Sequence, residues 1–340
     1  MASKKTANKA QTKTIKPPIL FSKTQEIITK ITKQLDAPLL AYWNSNGGSV
    51  CQNDVIVLSD VLKHIGKCDK IYFFIKSSGG SGQSSLRIVH LLRQSCKKII
   101  ALLPLEAASA ATMLCLGADE IQMGPLAFIT AVDTSLQHEL SPVTKDNSSV
   151  YVSQDELARV IKLWKEQSND NNNNPYEHIY KYIHPLVLGA VDRASSLSIK
   201  LCKDILSYHM EDQKLIDSIS NSLNSAYPSH NYPITIREAK KLGLNVKDMD
   251  DKLNESLMSL NEYYSEMGQK SCTDYDELNY HDNEILNIHE GTGIQIYYQE
   301  DKDWHYRVEE RRWIPMNDNS GWIKNILSNG KQTKSIFHIR

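Results

Sequence analysis

Apolar residues recur at helical spacing over 22–35, at Ile27, Ile28, Ile31 and Leu35, and predict a first helix. Pro38-Leu39-Leu40-Ala41-Tyr42-Trp43 then reads as a strand and Asn46-Gly47-Gly48 as a turn, before a second helix over 54–65. Three short, unbroken apolar runs follow, at 70–75, 98–103 and 120–123. Helical patterns over 83–96 and 107–116 separate them. Continuously apolar strands alternating with helices predict an α/β fold with buried strands.

Past residue 150 the pattern changes. A helix is expected from Ser153 to Trp164, opened by Ser153 as its cap, with an acid pair at Asp155 and Glu156. The Asn-rich run at 169–174 reads as a loop. A long helical pattern covers 183–208, and a short helix at 235–242 has Thr235 as its cap and Gly243 as its stop. These boundaries suggest three parts: a basic, disordered tail over 1–18, a main domain over 19–249, and a C-terminal extension over 250–340. Within the extension, 294–298 and 304–308 flank the charged run Glu300-Asp301-Lys302-Asp303 and predict a β-hairpin. Trp304, Trp313 and Trp322, near Arg307, Arg311 and Arg312, fit either a small β core or a protein-partner surface.

Composition narrows the function. The 340 residues carry 41% hydrophobic and 23% charged residues with a net charge of −1, which gives no electrostatic footprint for nucleic acid. No apolar run reaches membrane-spanning length, and the N-terminus has no secretory apolar core, so a soluble, cytoplasmic protein is expected. The six cysteines show no paired spacing and read as buried free thiols in a reducing compartment. Neither they nor the histidines have metal-ligand spacing, so no metal or cofactor is expected.

Two segments carry the candidate chemistry. Ser77-Ser78-Gly79-Gly80-Ser81 sits between a buried strand and a helix, where paired glycines allow close backbone approach and leave N–H groups free. It lacks the pattern of a phosphate-binding loop. Glu106-Ala107-Ala108-Ser109-Ala110-Ala111-Thr112 again follows a buried strand and places one serine among small residues at a helix start. A sharp turn there presents the hydroxyl at the positive end of the helix, as in a nucleophile elbow. Taken singly, the same serine also fits a helix cap.

Together the two segments, followed by Gly117-Ala118-Asp119-Glu120-Ile121-Gln122-Met123-Gly124-Pro125, resemble the Clp protease proteolytic subunit and signal peptide peptidase A. Ala131-Val132-Asp133 and Ser229-His230-Asn231-Tyr232-Pro233-Ile234-Thr235 extend the likeness to the serine dehydrogenase proteinase family, a Clp-like peptidase group. It covers roughly residues 36–247 and leaves out the C-terminal extension. The resemblance implies a ClpP/crotonase-like β-α superhelix with a long inter-subunit helix, to which this chain adds the extension. It implies Ser109 as nucleophile and the N–H groups of Gly80 and Ala110 as oxyanion hole. The position of the Clp histidine falls here at Val132 or Asp133, and that of the Clp aspartate at His230-Asn231, so acid and base exchange places. The implied triad is Ser109, His230 and Asp133; a triad needs geometry, not chain order. By likeness to signal peptide peptidase A, Lys162 is the alternative base.

The resulting expectation is a serine peptidase acting on proteins or peptides, assembled as a homo-oligomer. Two other functions remain open on the sequence: a crotonase-type acyl-coenzyme A enzyme, and an inactive Clp-fold scaffold that binds a protein partner through 250–340.

Overall fold

The computed structural model describes residues 13–133, 135–144, 150–167 and 174–339. The basic stretch at 1–12 and the Asn-rich run at 169–173 lie outside them. In chain order the first elements are α1 (Phe21–Leu35), β1 (Leu39–Asn44), α2 (Gln52–Ile65), β2 (Cys68–Lys76), α3 (Gly82–Ser95), β3 (Cys96–Leu103), β4 (Glu106–Ala107), α4 (Ala110–Leu116), β5 (Glu120–Met123) and β6 (Phe128–Ile129). The middle of the chain forms β7 (Ser135–Leu136), β8 (Val152–Ser153), α5 (Gln154–Gln167), α6 (Pro175–Ile179), α7 (Pro185–Leu206), α8 (Gln213–Ser225), α9 (Ile236–Lys241) and β9 (Val246–Asp248). The C-terminal part holds α10 (Asp251–Met267), β10 (Ser271–Asp276), β11 (Asn279–Gly291), β12 (Ile294–Arg307), β13 (Arg312–Asp318), β14 (Gly321–Ser328) and β15 (Lys331–Phe337).

The protein is a mixed α/β structure around a large sheet. Strands β1, β2, β3, β5 and β9 run parallel to one another, in that spatial order. Their unbroken apolar runs follow from burial on both faces. Leu40 and Tyr42 of β1, Phe73 and Ile75 of β2, and Ala101 and Leu103 of β3 enter the core shared with α2, α3 and α4. The alternate residues Leu39, Ala41, Trp43, Tyr72, Phe74, Ile100 and Leu102 enter a second core on the opposite face, with α1 and α10. α10 fits there because Leu253, Leu257, Leu260, Tyr264 and Met267 form one apolar stripe.

Residues after 250 continue the same sheet. β11 pairs antiparallel with β1, with Tyr42 opposite His289, and β12, β14 and β15 follow outward. Trp322 joins the main core and Tyr297 the second.

Three expectations change. The hairpin predicted around 300–303 is instead one strand, β12, running through those residues; its turns fall on either side, toward β11 and β13. The cysteines are not all free: Cys68 and Cys96 face each other at the starts of β2 and β3 and are joined as a disulfide. The inference from free thiols to a reducing compartment therefore fails for this pair. Of the rest, Cys115 and Cys202 are buried, Cys51 is half-buried and Cys272 exposed. Finally, the helix expected over 107–116 begins at Ala110, and the preceding residues form β4 and a sharp turn.

Candidate active site

β2 ends at Lys76, and the chain turns through Gly79 at φ +111° and Gly80 at φ +142°. Both values are strained for any residue with a side chain. Space requires the glycines as well. A Cβ on Gly79 would lie 2.7 Å from the Ser109 Cβ, and one on Gly80 would lie 2.4 Å from the Val50 carbonyl oxygen. The absent side chains let this turn lie directly against the serine turn. Ser81 then caps α3, its Oγ accepting the Ser84 N–H at 3.2 Å.

The serine turn is bound to the glycine turn through its backbone. Ser77 N–H donates to Glu106 O at 3.2 Å and Ala108 N–H to Ser77 O at 2.9 Å, while β4 pairs with β6. Ser109 itself has φ +52° and ψ −118°. A non-glycine residue in that region stores about 1–3 kcal/mol of strain and persists only where its surroundings fix it. Here its N–H donates to Thr130 Oγ1 at 2.8 Å, the Thr112 hydroxyl donates to Ala107 O at 2.8 Å, and Ser85 Oγ donates to Ala110 O at 2.7 Å. The Ser109 hydroxyl makes no capping bond to α4, so the helix-cap alternative does not hold. Thr130, Thr112 and Ser85 were not legible as site residues, since their partners are distant in sequence or on the backbone.

Asp133 and His230 meet through an antiparallel bridge. Ile129 and Ile234 exchange backbone hydrogen bonds at 3.1 and 2.8 Å. The bridge brings the two segments side by side, and a turn closed by Tyr232 N–H to Ser229 O at 3.1 Å places His230 beside Asp133. The loop bearing Asp133 is further held where Val132 N–H donates to Leu223 O at 2.9 Å and Ser198 Oγ donates to Val132 O at 2.5 Å. His230 Nδ1 lies 2.8 Å from Asp133 Oδ1. An ionised carboxylate only accepts, so Nδ1 carries the proton and the neutral ring keeps its lone pair on Nε2. The bond to Asp133 raises the His230 pKa above 6.5, although partial burial works the other way.

Ser109, Asp133, His230, Gly80 and Ala110 line one cavity of about 320 Å³, with Met113 and Leu201 among its apolar walls. Among the described residues neither the Gly80 nor the Ala110 N–H donates a hydrogen bond. Both are free for an incoming oxygen. Lys162 lies elsewhere: on α5 its side chain is 75% exposed, 3.8 Å from Glu166, and it does not line the cavity. Two other His–Asp pairs, His289 with Asp54 and His281 with Asp303, do not border it either. The Asp119 of the Gly117–Pro125 segment has a structural part: it accepts the Ile99 N–H at 2.7 Å and pairs with Arg93 at 2.9 Å.

No protein-family model matches the chain. An uncharacterised protein of Methanocaldococcus jannaschii is 24% identical over 210 residues, which cover 61% of this chain and 64% of that protein. The match therefore spans less than two thirds of the relative's length. Among solved structures, a variant of the membrane-bound stomatin-specific protease 1510-N is 16% identical, covering 66% of this chain and 83% of that one at a TM-score of 0.38. ClpP1 from Listeria monocytogenes is 14% identical, covering 69% of this chain and 99% of that one at a TM-score of 0.32. No helix among the described residues is long and apolar enough to cross a membrane.

Proposed function

We propose that this protein is a Clp-like serine peptidase. The observation that carries the reading is the His230 Nδ1–Asp133 Oδ1 contact of 2.8 Å on the cavity that Ser109 borders from a strained, positive-φ turn. In this reading Ser109 Oγ attacks the substrate carbonyl while His230 Nε2 takes the hydroxyl proton. Asp133 holds the ring in the required tautomer and stabilises the imidazolium. The oxygen of the tetrahedral intermediate accepts from the Gly80 and Ala110 N–H groups, donors that need no rearrangement as charge develops. The imidazolium then protonates the leaving amine, and water, deprotonated by the same ring, releases the acyl group.

The resemblance of the Ser-Gly-Gly and Ala-Ala-Ser segments to Clp-like peptidases supports peptide bonds as the substrate. Homo-oligomeric assembly belongs to the same proposal. It is supported by large apolar side chains left exposed from α5 to α7: Leu163 at 54% on α5, Tyr182 at 80% between α6 and α7, and Leu186 at 62% on α7.

Digestion of an unfolded protein, followed by mass spectrometry, tests the reaction. Fragments from the wild type that disappear with Ser109→Ala are expected. Intact substrate together with measurable coenzyme A binding by calorimetry would turn the reading toward an acyl-thioester enzyme.

A further inference from the structure

The Gly80 N–H points where it does because of residues on the far side of the turn. Val50 N–H donates to Gly79 O at 2.7 Å, and Ser81 N–H donates to Val50 O at 2.8 Å. These two bonds bracket Gly80, so the Val50 backbone sets the orientation of the glycine turn. Val50 is in turn fixed from both neighbours. Asn287, on β11, donates from its one amide nitrogen to Ser49 O at 3.0 Å and to Asp54 Oδ1 at 2.8 Å. Asp54 Oδ2 accepts the Cys51 N–H at 2.8 Å and the Tyr42 hydroxyl at 2.6 Å, while Oδ1 also takes His289 Nε2 at 2.9 Å.

The centre of this network is closed to water, while Ser49 is exposed and Cys51 half-buried. Asp54 and His289 are fully buried and Asn287 is 4% exposed. Buried hydrogen-bond networks rigidify what they touch, and here Asp54 uses both carboxylate oxygens, while His289 Nδ1 has no partner among the described residues. The loop also has no room to drift toward β11, because a Cβ on Gly48 would lie 2.1 Å from Leu286 O and 2.8 Å from Asn287 Oδ1. The segment 48–51 is therefore clamped between β11 and the glycine turn.

We propose that Asn287 is a positioning residue for the oxyanion-binding turn, so that the C-terminal strand β11 sets the geometry of a site it does not touch. The proposal rests on the peptidase reading. It gives residues after 250 a part in the reaction: Asn287 fixes Ser49 and, through Asp54, Cys51; these fix Val50, and Val50 aims Gly80. Oxyanion donors act on the transition state more than on the bound substrate, and misplacement of about 1 Å costs on the order of 10²-fold in rate.

The test compares Asn287→Ala with Asn283→Ala, a control on the same strand. Asn283 is also buried and accepts a 2.7 Å bond from Gln299. Two readouts are taken: fluorophosphonate inactivation resolved into its binding constant and its first-order rate constant over a pH series, and amide hydrogen exchange across 77–84. For Asn287→Ala the first-order constant should fall about tenfold, with binding within twofold and the pH midpoint unmoved. Exchange around Gly79–Ser81 should quicken. Asn283→Ala should show neither effect. An unchanged rate constant, an equal loss in Asn283→Ala, or unchanged exchange overturns the proposal. If the wild type takes no adduct, the peptidase reading fails, and the exchange comparison alone still decides whether Asn287 positions the turn. Should Asn287→Ala not fold, Asn287→Ser, which retains one donor, carries the same comparison.

Discussion

Ser109 and Gly79 illustrate how much of the site depends on backbone instead of side-chain chemistry. Gly79→Ala would place a methyl group 2.7 Å from the Ser109 Cβ at a φ of +111°, which side chains resist. We expect this one carbon to destabilise the protein by about 1–3 kcal/mol in chemical denaturation and to remove probe labelling of Ser109. His230 makes a prediction about pH. A general base must be neutral, and Asp133 raises its pKa, so labelling should rise with pH through a midpoint above 6.5. Asp133→Asn should lower that midpoint and slow labelling by ~10³-fold, read from pH-dependent inactivation rates. The same raised value means that the pair's share of stability is whole below 6.5 and is lost as pH rises through the folded-state pKa. The serine and glycine turns were legible because each is a local string of residue types. The meeting of Asp133 with His230, 97 residues away, was not legible from the residues themselves. The Ile129–Ile234 bridge and the turn at 229–232 bring them together, and no local pattern announces that bridge.

Elements of the parallel half were readable for a plain reason: strands covered on both faces cannot hide their apolar runs. β12 was misread because Glu300-Asp301-Lys302-Asp303 looks like a turn. The strand continues because these polar side chains find partners along and across the ladder: Asp303 meets His281 of β11 at 2.8 Å, and Lys302 lies 3.4 Å from Glu300 of its own strand and 3.9 Å from Asp318 of β13. One buried carboxylate joins both α1 and α10 to the sheet. Glu290 of β11 is fully buried and accepts from Thr24 and Gln25 at 2.7 Å, Gln295 at 2.6 Å and Tyr264 at 2.9 Å. Burial pushes its pKa up from 4.5 to about 7, despite these donors. The folded protein thus holds this proton more tightly than the unfolded chain. The corresponding stabilisation is complete below 4.5 and is lost as pH rises through about 7. In a melting series from pH 5 to pH 8, Glu290→Gln should flatten the alkaline decline; a decline of the same slope would exclude Glu290 as its source.

For the whole molecule, the C-terminal part is structurally continuous with the rest. β1 has β11 as its antiparallel partner, and Ile285 and Ile288 fill the second core beside Trp43. The sequence pattern marked 250–340 as different in composition, and it is; composition does not reveal which edge of a sheet a distant strand will join. Truncation after Met267 should therefore abolish cooperative thermal unfolding, monitored by circular dichroism, since it exposes the edge of β1 and removes Ile294, Ile296 and Trp322 from the main core and Ile285, Ile288 and Tyr297 from the second. A truncated chain with a sharp transition would show that the parallel half stands alone.

The central claim is that Ser109 is an activated nucleophile whose base is His230. Reaction of the full-length protein with a fluorophosphonate probe, with the adduct located by peptide mapping, tests it most directly. A single adduct on Ser109, absent in Ser109→Ala and slowed at least 10²-fold in His230→Ala, is the predicted result. No adduct, or labelling that persists unchanged in either variant, would contradict it.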